Sequence, residues 1–173
     1  MIAEGGDTAP VAEPAPIETA RRANEWWTSL PFAELRRAVQ EEADFEAGME
    51  RMERLGYGSV ADLIDPDIDL DLSGFQGGNA LPSGKGREAW FAFWRDWTEP
   101  WESLTIEHGN YEARGDKAIV DVRVTGLGAG SGVEVALDMV QVWTIRSGRV
   151  IGYAVFDHRE DALVEAEGDH DEW

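Results

Sequence analysis

The spacing of apolar residues predicts helices in the first half of the chain. Residues 17–29 and 32–55 carry apolar side chains at intervals of three and four, separated by the step Leu30-Pro31. Gly56 is a stop signal for the second helix. Ser59 is a candidate N-cap for a short helix, VADLI, that Pro66 would end. The pattern therefore predicts two helices and a third, short helix before any strand.

The second half alternates apolar and polar residues, which is typical of strands. Residues 68–72 alternate leucine or isoleucine with aspartate, which predicts a short strand with one wet face. The stretch GREAWFAFWRDWTEPWE, residues 86–102, follows a glycine-rich loop and predicts a helix closed by Pro100. Alternation then predicts an antiparallel meander of strands at 103–113, 117–127, 133–146 and 149–157, and residues 159–166 predict a last helical turn.

This order of elements predicts an α+β fold with helices packed on one face of a curved antiparallel sheet. Residues 1–16 contain almost no large apolar side chain, so we expect a disordered arm there. Residues 17–166 form the expected single domain, with an extra N-terminal helix, and residues 167–173 form an acidic tail.

Composition narrows the classes of partner. The 173-residue chain has a net charge of −20, which argues against nucleic acid and against anionic membrane surfaces. It has no cysteine, so disulfides and thiolate chemistry are excluded. The sequence shows neither a signal peptide nor an apolar run of about 20 residues, so we expect a cytoplasmic protein. Nearly all its basic residues are arginine, a bias that suggests a bacterium with a GC-rich genome.

Three stretches, in this order and spacing, carry a family resemblance: DLIDPDIDLD, GREAWFAFWRDWTEPWE, and GSGVEV followed by VWTIRSGRVIGYAVFDHREDAL. Over residues 33–166 the chain resembles the SnoaL-like branch of the nuclear transport factor 2-like superfamily. The resemblance implies a cone, in which a curved sheet wraps around about three helices and leaves a pocket at its wide end. Ketosteroid isomerases, polyketide cyclases, epoxide hydrolases and proteins without known activity share this fold, so the fold leaves the reaction open.

The residues that the resemblance matches to known catalytic positions are mostly apolar or neutral. The isomerase's general-base aspartate corresponds to Leu72, and its oxyanion-hole aspartate corresponds to Gln141. The polar set of the epoxide hydrolases falls on Leu70, Leu72, Arg123, Thr125 and Val155. Of these five residues only the arginine matches the residue of the epoxide hydrolases. We therefore expect neither of these two reactions, although a shift of one residue after Pro66 would turn Asp69 or Asp71 inward instead.

The same alignment implies a set of inward residues on the last three strands: Asp121, Arg123, Gln141, Trp143, Tyr153 and Asp157. Asp121 and Arg123 lie two apart on one strand and share a face. In this interpretation Asp121 or Asp157 is the general acid or base, and Arg123 and Tyr153 are electrostatic donors. The alternative is that Val120, Val122 and Val124 fill the core and that the charged residues face solvent.

The tryptophans of residues 86–102 predict an aromatic face. Trp90, Trp94, Trp97 and Trp101 follow one another at intervals of four, three and four. A stripe at this spacing is usually core, yet at least one ring should form a pocket wall, and Trp90 or Trp101 could be half exposed. The predicted substrate-binding set is Trp90, Trp94, Trp97, Gln141, Trp143, Leu70, Leu72 and Val155.

The three histidines do not have the spacing of a zinc site, so we predict no metal. His158 has a capping or surface role or takes part in proton transfer, His108 lies on a strand, and His170 lies in the tail. The glycines of GLGAGSG lie between antiparallel strands with no helix after them, so they predict a hairpin rather than a phosphate loop.

Two functions remain open. One is a cofactor-independent enzyme that moves protons on an apolar polycyclic or aromatic molecule: an isomerase, cyclase, dehydratase or hydrolase. The other is a non-catalytic ligand-binding or assembly module of the same fold. In either case we expect a homodimer through the outer face of the sheet, because valines at 120, 122 and 124 would need cover if Asp121 faced inward.

Overall fold

The computed structural model describes residues 14–76 and 81–168. Its elements confirm the predicted α+β class. The helices are α1 (Ala15–Ser29), α2 (Phe32–Glu41), α3 (Phe45–Arg54), α4 (Arg87–Thr98) and α5 (Arg159–Glu167). The strands are β1 (Ile64–Asp71), β2 (Gly84–Lys85), β3 (Trp101–Arg114), β4 (Lys117–Gly128), β5 (Glu134–Arg146) and β6 (Arg149–Phe156).

One curved six-stranded sheet organises the chain, in the order β2-β1-β6-β5-β4-β3. The last four strands form the predicted antiparallel meander. β1 joins the meander by running parallel to β6, with Leu70 opposite Tyr153. The sheet is thus continuous from β2 to β3, and its two faces carry different layers.

The predicted helix over 32–55 is wrong, because the chain breaks at residues 42–44. Glu42 adopts an extended conformation at the end of α2, and the side chain of Asp44 accepts a hydrogen bond from the Ala47 N–H at 2.9 Å. This N-cap satisfies a donor at the start of α3 and allows a new helix direction. Arg51 bridges Glu41 and Glu42 across the break.

The predicted short helix VADLI is also wrong. Its backbone makes a single turn, in which the Leu63 and Ile64 N–H groups donate to the Val60 carbonyl. Ile64 then begins β1, earlier than the predicted 68–72, and the ladder with β6 shifts register between Ile64 and Asp69. Pro66 lies inside that irregular part, where its lack of an N–H costs no regular ladder bond.

The tryptophan stretch contains a helix and the start of a strand. α4 ends at Thr98, so Trp101 is not its fourth stripe member but the first residue of β3. Trp90 and Trp101 are both buried, and the expectation that one of them is half exposed is wrong. The loop before α4 also contains the two-residue strand β2, which alternation could not have revealed.

Two apolar cores lie on opposite faces of the sheet. The larger core joins α1 to α4 with the inner face of the sheet. The smaller core lies under α5 on the outer face, where Ile119, Val142 and Phe156 pack against Ala162 and Ala166. The cone predicted from the resemblance is therefore filled by the first four helices and covered in part by the fifth.

The structure moves both predicted boundaries of the domain, the one with the N-terminal arm and the one with the acidic tail. α1 begins at Ala15, so Ala15 and Pro16 belong to a helix and not to the predicted arm, and Glu167 ends α5 rather than beginning the tail. Residues 1–13 of the predicted arm and residues 169–173 of the predicted tail lie outside the described residues. Across 14–76 and 81–168, no helix is long and apolar enough to cross a membrane.

Candidate functional site

Pairing between β4 and β5 decides which side chains of β4 face the helices. Val120 lies opposite Gln141, and Val122 lies opposite Met139. Residues directly opposite each other in an antiparallel pair point to the same face. Gln141 and Met139 are both buried on the inner face, so the valines are inward and Asp121 and Arg123 are outward. The expected inward facing of Asp121 and Arg123 is wrong, and the alternative of a valine core holds.

Asp121 and Arg123 do not pair with each other on the outer face. Asp121 accepts a hydrogen bond from Arg159 at 2.7 Å, and Arg159 also pairs with Glu112. Arg123 lies 3.4 Å from Asp138, with 56 % and 74 % of their side chains exposed. An acid–base pair in a dry pocket is therefore not formed by these residues. The reason for expecting a homodimer, an uncovered valine row, also no longer applies.

A small cavity lies between α4 and the inner face of the sheet. Its free volume is about 20 Å³, room for about one water molecule. Of the predicted site residues, it brings together Trp94, Trp97, Gln141, Tyr153 and Val155. The other lining side chains are Phe75, Phe93, Ile106, Val122, Val124 and Met139.

Aromatic rings form one wall of this cavity. Phe93 stacks on Trp97 with ring centroids 6.5 Å apart, and Trp94 stacks on Trp27 of α1 at 4.2 Å. The Trp94 indole nitrogen is buried and has no hydrogen-bond partner in the described residues. The remaining predicted binding residues, Trp90, Trp143, Leu70 and Leu72, are buried core residues that do not line the cavity. Trp90 packs against Trp94 and Tyr153, and Trp143 packs against Tyr153.

The polar end of the cavity is a hydrogen-bond network centred on Gln141. Its side-chain oxygen accepts bonds from the Trp143 indole N–H at 2.9 Å and from the Asn24 amide at 3.2 Å. Its side-chain nitrogen donates to the Tyr153 hydroxyl oxygen at 3.1 Å. Asn24 also donates to the Tyr111 hydroxyl at 3.2 Å. The network joins α1, β3, β5 and β6 through side chains alone.

The direction of these bonds determines what Tyr153 can offer. An indole N–H can only donate, so Trp143 fixes the Gln141 oxygen as the acceptor and the Gln141 nitrogen as the donor. Tyr153 therefore accepts from Gln141 and keeps its own O–H proton for a further partner. Burial raises the pKa of Tyr153, and the Gln141 hydrogen bond opposes this only in part. Tyr153 is thus a neutral hydrogen-bond donor at the cavity, not a base.

Asp157 lies past the end of β6, on the segment that leads to α5. Its carboxylate accepts a hydrogen bond from the Gln76 backbone N–H at 2.7 Å, and its own N–H donates to the Gly74 carbonyl at 3.1 Å. It does not line the cavity. The predicted acid–base role for Asp157 has no geometric support, because its side chain is engaged in holding the segment after β1.

The two described histidines do not line the cavity. His108 pairs with Val122 on β3, and burial lowers the pKa of His108 to about 4. His158 is exposed at the N-cap position of α5, without a side-chain capping bond. His170 lies outside the described residues. No group of three metal-binding side chains occurs within residues 14–76 and 81–168.

A larger groove of about 480 Å³ lies on the outer face, between α5 and the strands. Asp69, Asp71 and Arg146 are among its lining residues, so it mixes both signs of charge. The buried Lys117 donates to the backbone carbonyls of Glu165 and Gly168 at its edge. Its ammonium group therefore satisfies the carboxyl end of α5, as cations do at helix ends.

Comparison with known families assigns the fold. The sequence model of the SnoaL-like domain matches residues 45–153. The chain belongs to the SnoaL-like family. Comparison with curated proteins finds no match.

Solved structures of SnoaL-like and nuclear transport factor 2-like proteins share the architecture. A candidate SnoaL-like polyketide cyclase from Jannaschia sp. CCS1 is 22 % identical, with 94 % of this chain and 96 % of that chain covered and a TM-score of 0.54. A protein of unknown function from Burkholderia pseudomallei K96243 is 13 % identical, with 90 % and 100 % covered and a TM-score of 0.58. A nuclear transport factor 2-like protein from Anabaena variabilis ATCC 29413 is 12 % identical, with 86 % and 94 % covered and a TM-score of 0.57.

The SnoaL-like match begins at Phe45, so α1 and α2 lie outside it. α1 nevertheless supplies Asn24 to the polar network and Trp27 to the aromatic wall. Sequence analysis missed both residues, although Trp27 stood out in the sequence as part of a Trp-Trp pair. Phe75 was missed because it lies in a loop. The family alignment turned Val122 and Val124 outward because it displaced β4 by one residue, whereas the alternative placed both valines in the core.

Proposed function

We propose that this SnoaL-like protein is a small-molecule-binding module for a flat, apolar molecule that carries one hydrogen-bond acceptor. The support is the cavity wall itself, which combines aromatic and aliphatic side chains with the polar groups of Gln141 and Tyr153. Such walls are typical of sites for apolar ligands, where a few polar groups set orientation. The acceptor, a carbonyl or similar oxygen, would take the free Tyr153 proton.

The cavity wall favours binding over carboxylate acid–base catalysis. The described side chains that line the cavity include no aspartate, glutamate or histidine. General acid–base chemistry needs a titrating group within hydrogen-bond reach of the substrate. Tyr153 is held neutral by its raised pKa, and Gln141 does not titrate. The non-catalytic alternative is therefore the function that the geometry supports best.

Ligand binding requires the cavity to widen, because about 20 Å³ accommodates only about one water molecule. The ligand would occupy that volume and push lining side chains aside. Such a change shifts the protein toward an open state that is less populated without ligand. We therefore expect slow association and an affinity lower than that of a preformed pocket of the same lining.

A matched ligand pair tests the proposal. Indanone and indane have the same fused-ring frame and differ by one carbonyl oxygen. We expect indanone to bind the protein about tenfold more tightly than indane, the effect of one buried hydrogen bond of about 1.4 kcal/mol. Isothermal titration calorimetry on the purified protein measures both affinities.

The control variants separate the polar end from general binding. Tyr153→Phe should bind both compounds equally, and Tyr57→Phe, outside the cavity lining, should keep the preference for indanone. If neither compound binds any of the proteins, the binding function is wrong. If both bind but the preference survives in Tyr153→Phe, the assignment of Tyr153 as the donor is wrong.

A further inference from the structure

Phe75 lines the cavity from a segment outside the regular elements. It follows β1, is 4 % exposed, and packs edge-on against Trp97 with ring centroids 5.8 Å apart. Within residues 14–76 and 81–168, the other ten side chains that line the cavity belong to α4 or to strands β3 to β6. Phe75 is therefore the lining residue whose displacement would break no helix and no strand pairing.

Asp157 holds this segment in place from the far side. Its backbone N–H donates to the Gly74 carbonyl at 3.1 Å, and its carboxylate accepts from the Gln76 N–H at 2.7 Å. The two bonds flank Phe75 on both sides. A hydrogen bond to an ionised carboxylate is stronger than one between neutral groups, so the second bond should contribute most to the hold.

Close packing at Gly74 reinforces the same position. A Cβ atom built on Gly74 would lie 2.4 Å from Cδ1 of Phe156 and 3.2 Å from the Val155 carbonyl oxygen. Only glycine allows the segment to approach β6 this closely. An alanine here would push the segment outward without removing any polar group, which makes it an independent probe of the same contact.

We propose that Phe75 is the gate of the cavity and that Asp157 is the positioning residue that keeps it closed. This inference rests on the proposed function in that the gate controls access of the apolar ligand. Opening breaks the two hydrogen bonds to Asp157 and the contact between Phe75 and Trp97, and it strains the 3.2 Å bond from the Phe75 N–H to the Leu72 carbonyl. The other described lining residues belong to a helix or to the sheet. The gate thus determines how fast a ligand reaches Gln141 and Tyr153.

The two hydrogen bonds between Asp157 and the segment around Phe75 form the latch of this gate. Amide hydrogen exchange tests the latch without any ligand. In Asp157→Ala the Gln76 N–H should exchange about tenfold faster or more, because its acceptor is gone. Asp157→Asn keeps an acceptor oxygen and should restore most of the protection. Asp138→Ala removes an exposed carboxylate of the outer face and should change nothing at Gln76. Equal exchange in the wild type and Asp157→Ala would overturn the latch.

Uptake of a neutral apolar fluorophore, N-phenylnaphthylamine, tests the gate by stopped-flow fluorescence. Phe75→Ala and Gly74→Ala should both raise its association rate constant by about tenfold, because the open state becomes more populated. Near-ultraviolet circular dichroism confirms that each variant retains its fold. An unchanged rate in both folded variants would overturn the gate. If the fluorophore binds to none of the proteins, the proposed binding function fails, and the exchange measurement still decides the latch.

Discussion

Val120 on β4 lies directly opposite Gln141 on β5, and both side chains are buried on the face that the helices cover. This pairing places Asp121 and Arg123 on the outer face, where each has its own partner. Exposed ion pairs contribute little to stability, so Arg123→Met and Asp121→Asn should each change the free energy of unfolding by less than about 1 kcal/mol. Thermal melts of both variants measure the change.

The adjacent valine is the matched comparison. Val122→Ala should cost about 2 kcal/mol, because it deletes buried methyl groups between the sheet and α4. A larger loss of stability in Arg123→Met than in Val122→Ala would show that β4 faces the other way and that the charged residues are buried.

Sequence analysis predicted the meander well because strand alternation and turn residues are local signals. The facing of β4 was harder, since Ile119 on the outer face and Val120 on the inner face are both fully buried. Apolar residues under α5 blur the period of two along the strand. The family alignment then moved β4 by one residue, and a slip of one residue exchanges every side chain between faces.

The site was predicted in part for the same physical reasons. Gln141 lies on β5 and Tyr153 lies on β6, two strands whose facing the alignment gave correctly, and the two side chains do meet at the cavity. Asn24 and Phe75 belong to elements whose position depends on tertiary packing, and no local pattern places them near Gln141. The end of α2 was missed because a capping aspartate, Asp44, had been assigned to a helix interior.

Gly48 on α3 is a helix position where alanine should destabilise the fold. Alanine is ordinarily about 1 kcal/mol better than glycine inside a helix. A Cβ at Gly48 would lie 2.7 Å from Cε2 of Phe91, whose ring is buried and packs edge-on against Phe45. Gly48→Ala should therefore lower the melting temperature, and Phe91→Leu should recover part of the loss in the double variant. A Gly48→Ala protein that melts higher than the wild type would contradict this packing.

His108 should make stability depend on pH between about 4 and 6.5. Burial lowers the pKa of His108 from 6.5 to about 4, so the native state holds it neutral while the unfolded chain binds a proton in that interval. Its stabilising contribution is complete above pH 6.5 and is lost as pH falls toward 4. After allowance for its partial exposure, we expect a loss of about 1–2 kcal/mol. Urea unfolding at several pH values measures it.

His108→Gln is the test of that assignment, and His158→Gln is its control. The first variant should flatten the pH dependence of stability above pH 4.5, whereas the second, at an exposed position, should leave it unchanged. An identical slope in the wild type and His108→Gln would mean that other groups cause the dependence.

Gln141 is the residue on which the polar end of the cavity depends. In Gln141→Leu the new side chain has nearly the same shape as glutamine. The Trp143 N–H and one N–H of the Asn24 amide then lose their acceptor, the Gln141 side-chain oxygen. A buried polar group that loses its partner costs about 1–3 kcal/mol, so we expect a loss of about 3 kcal/mol in this variant. Tyr153→Phe removes only one bond of the network and should cost about 1 kcal/mol.

Because both variants break the same bond, the double variant should cost less than the sum of the two single losses, which urea unfolding of all three proteins measures. Strict additivity would show that Gln141 and Tyr153 do not interact, and the free Tyr153 proton would then lose its basis.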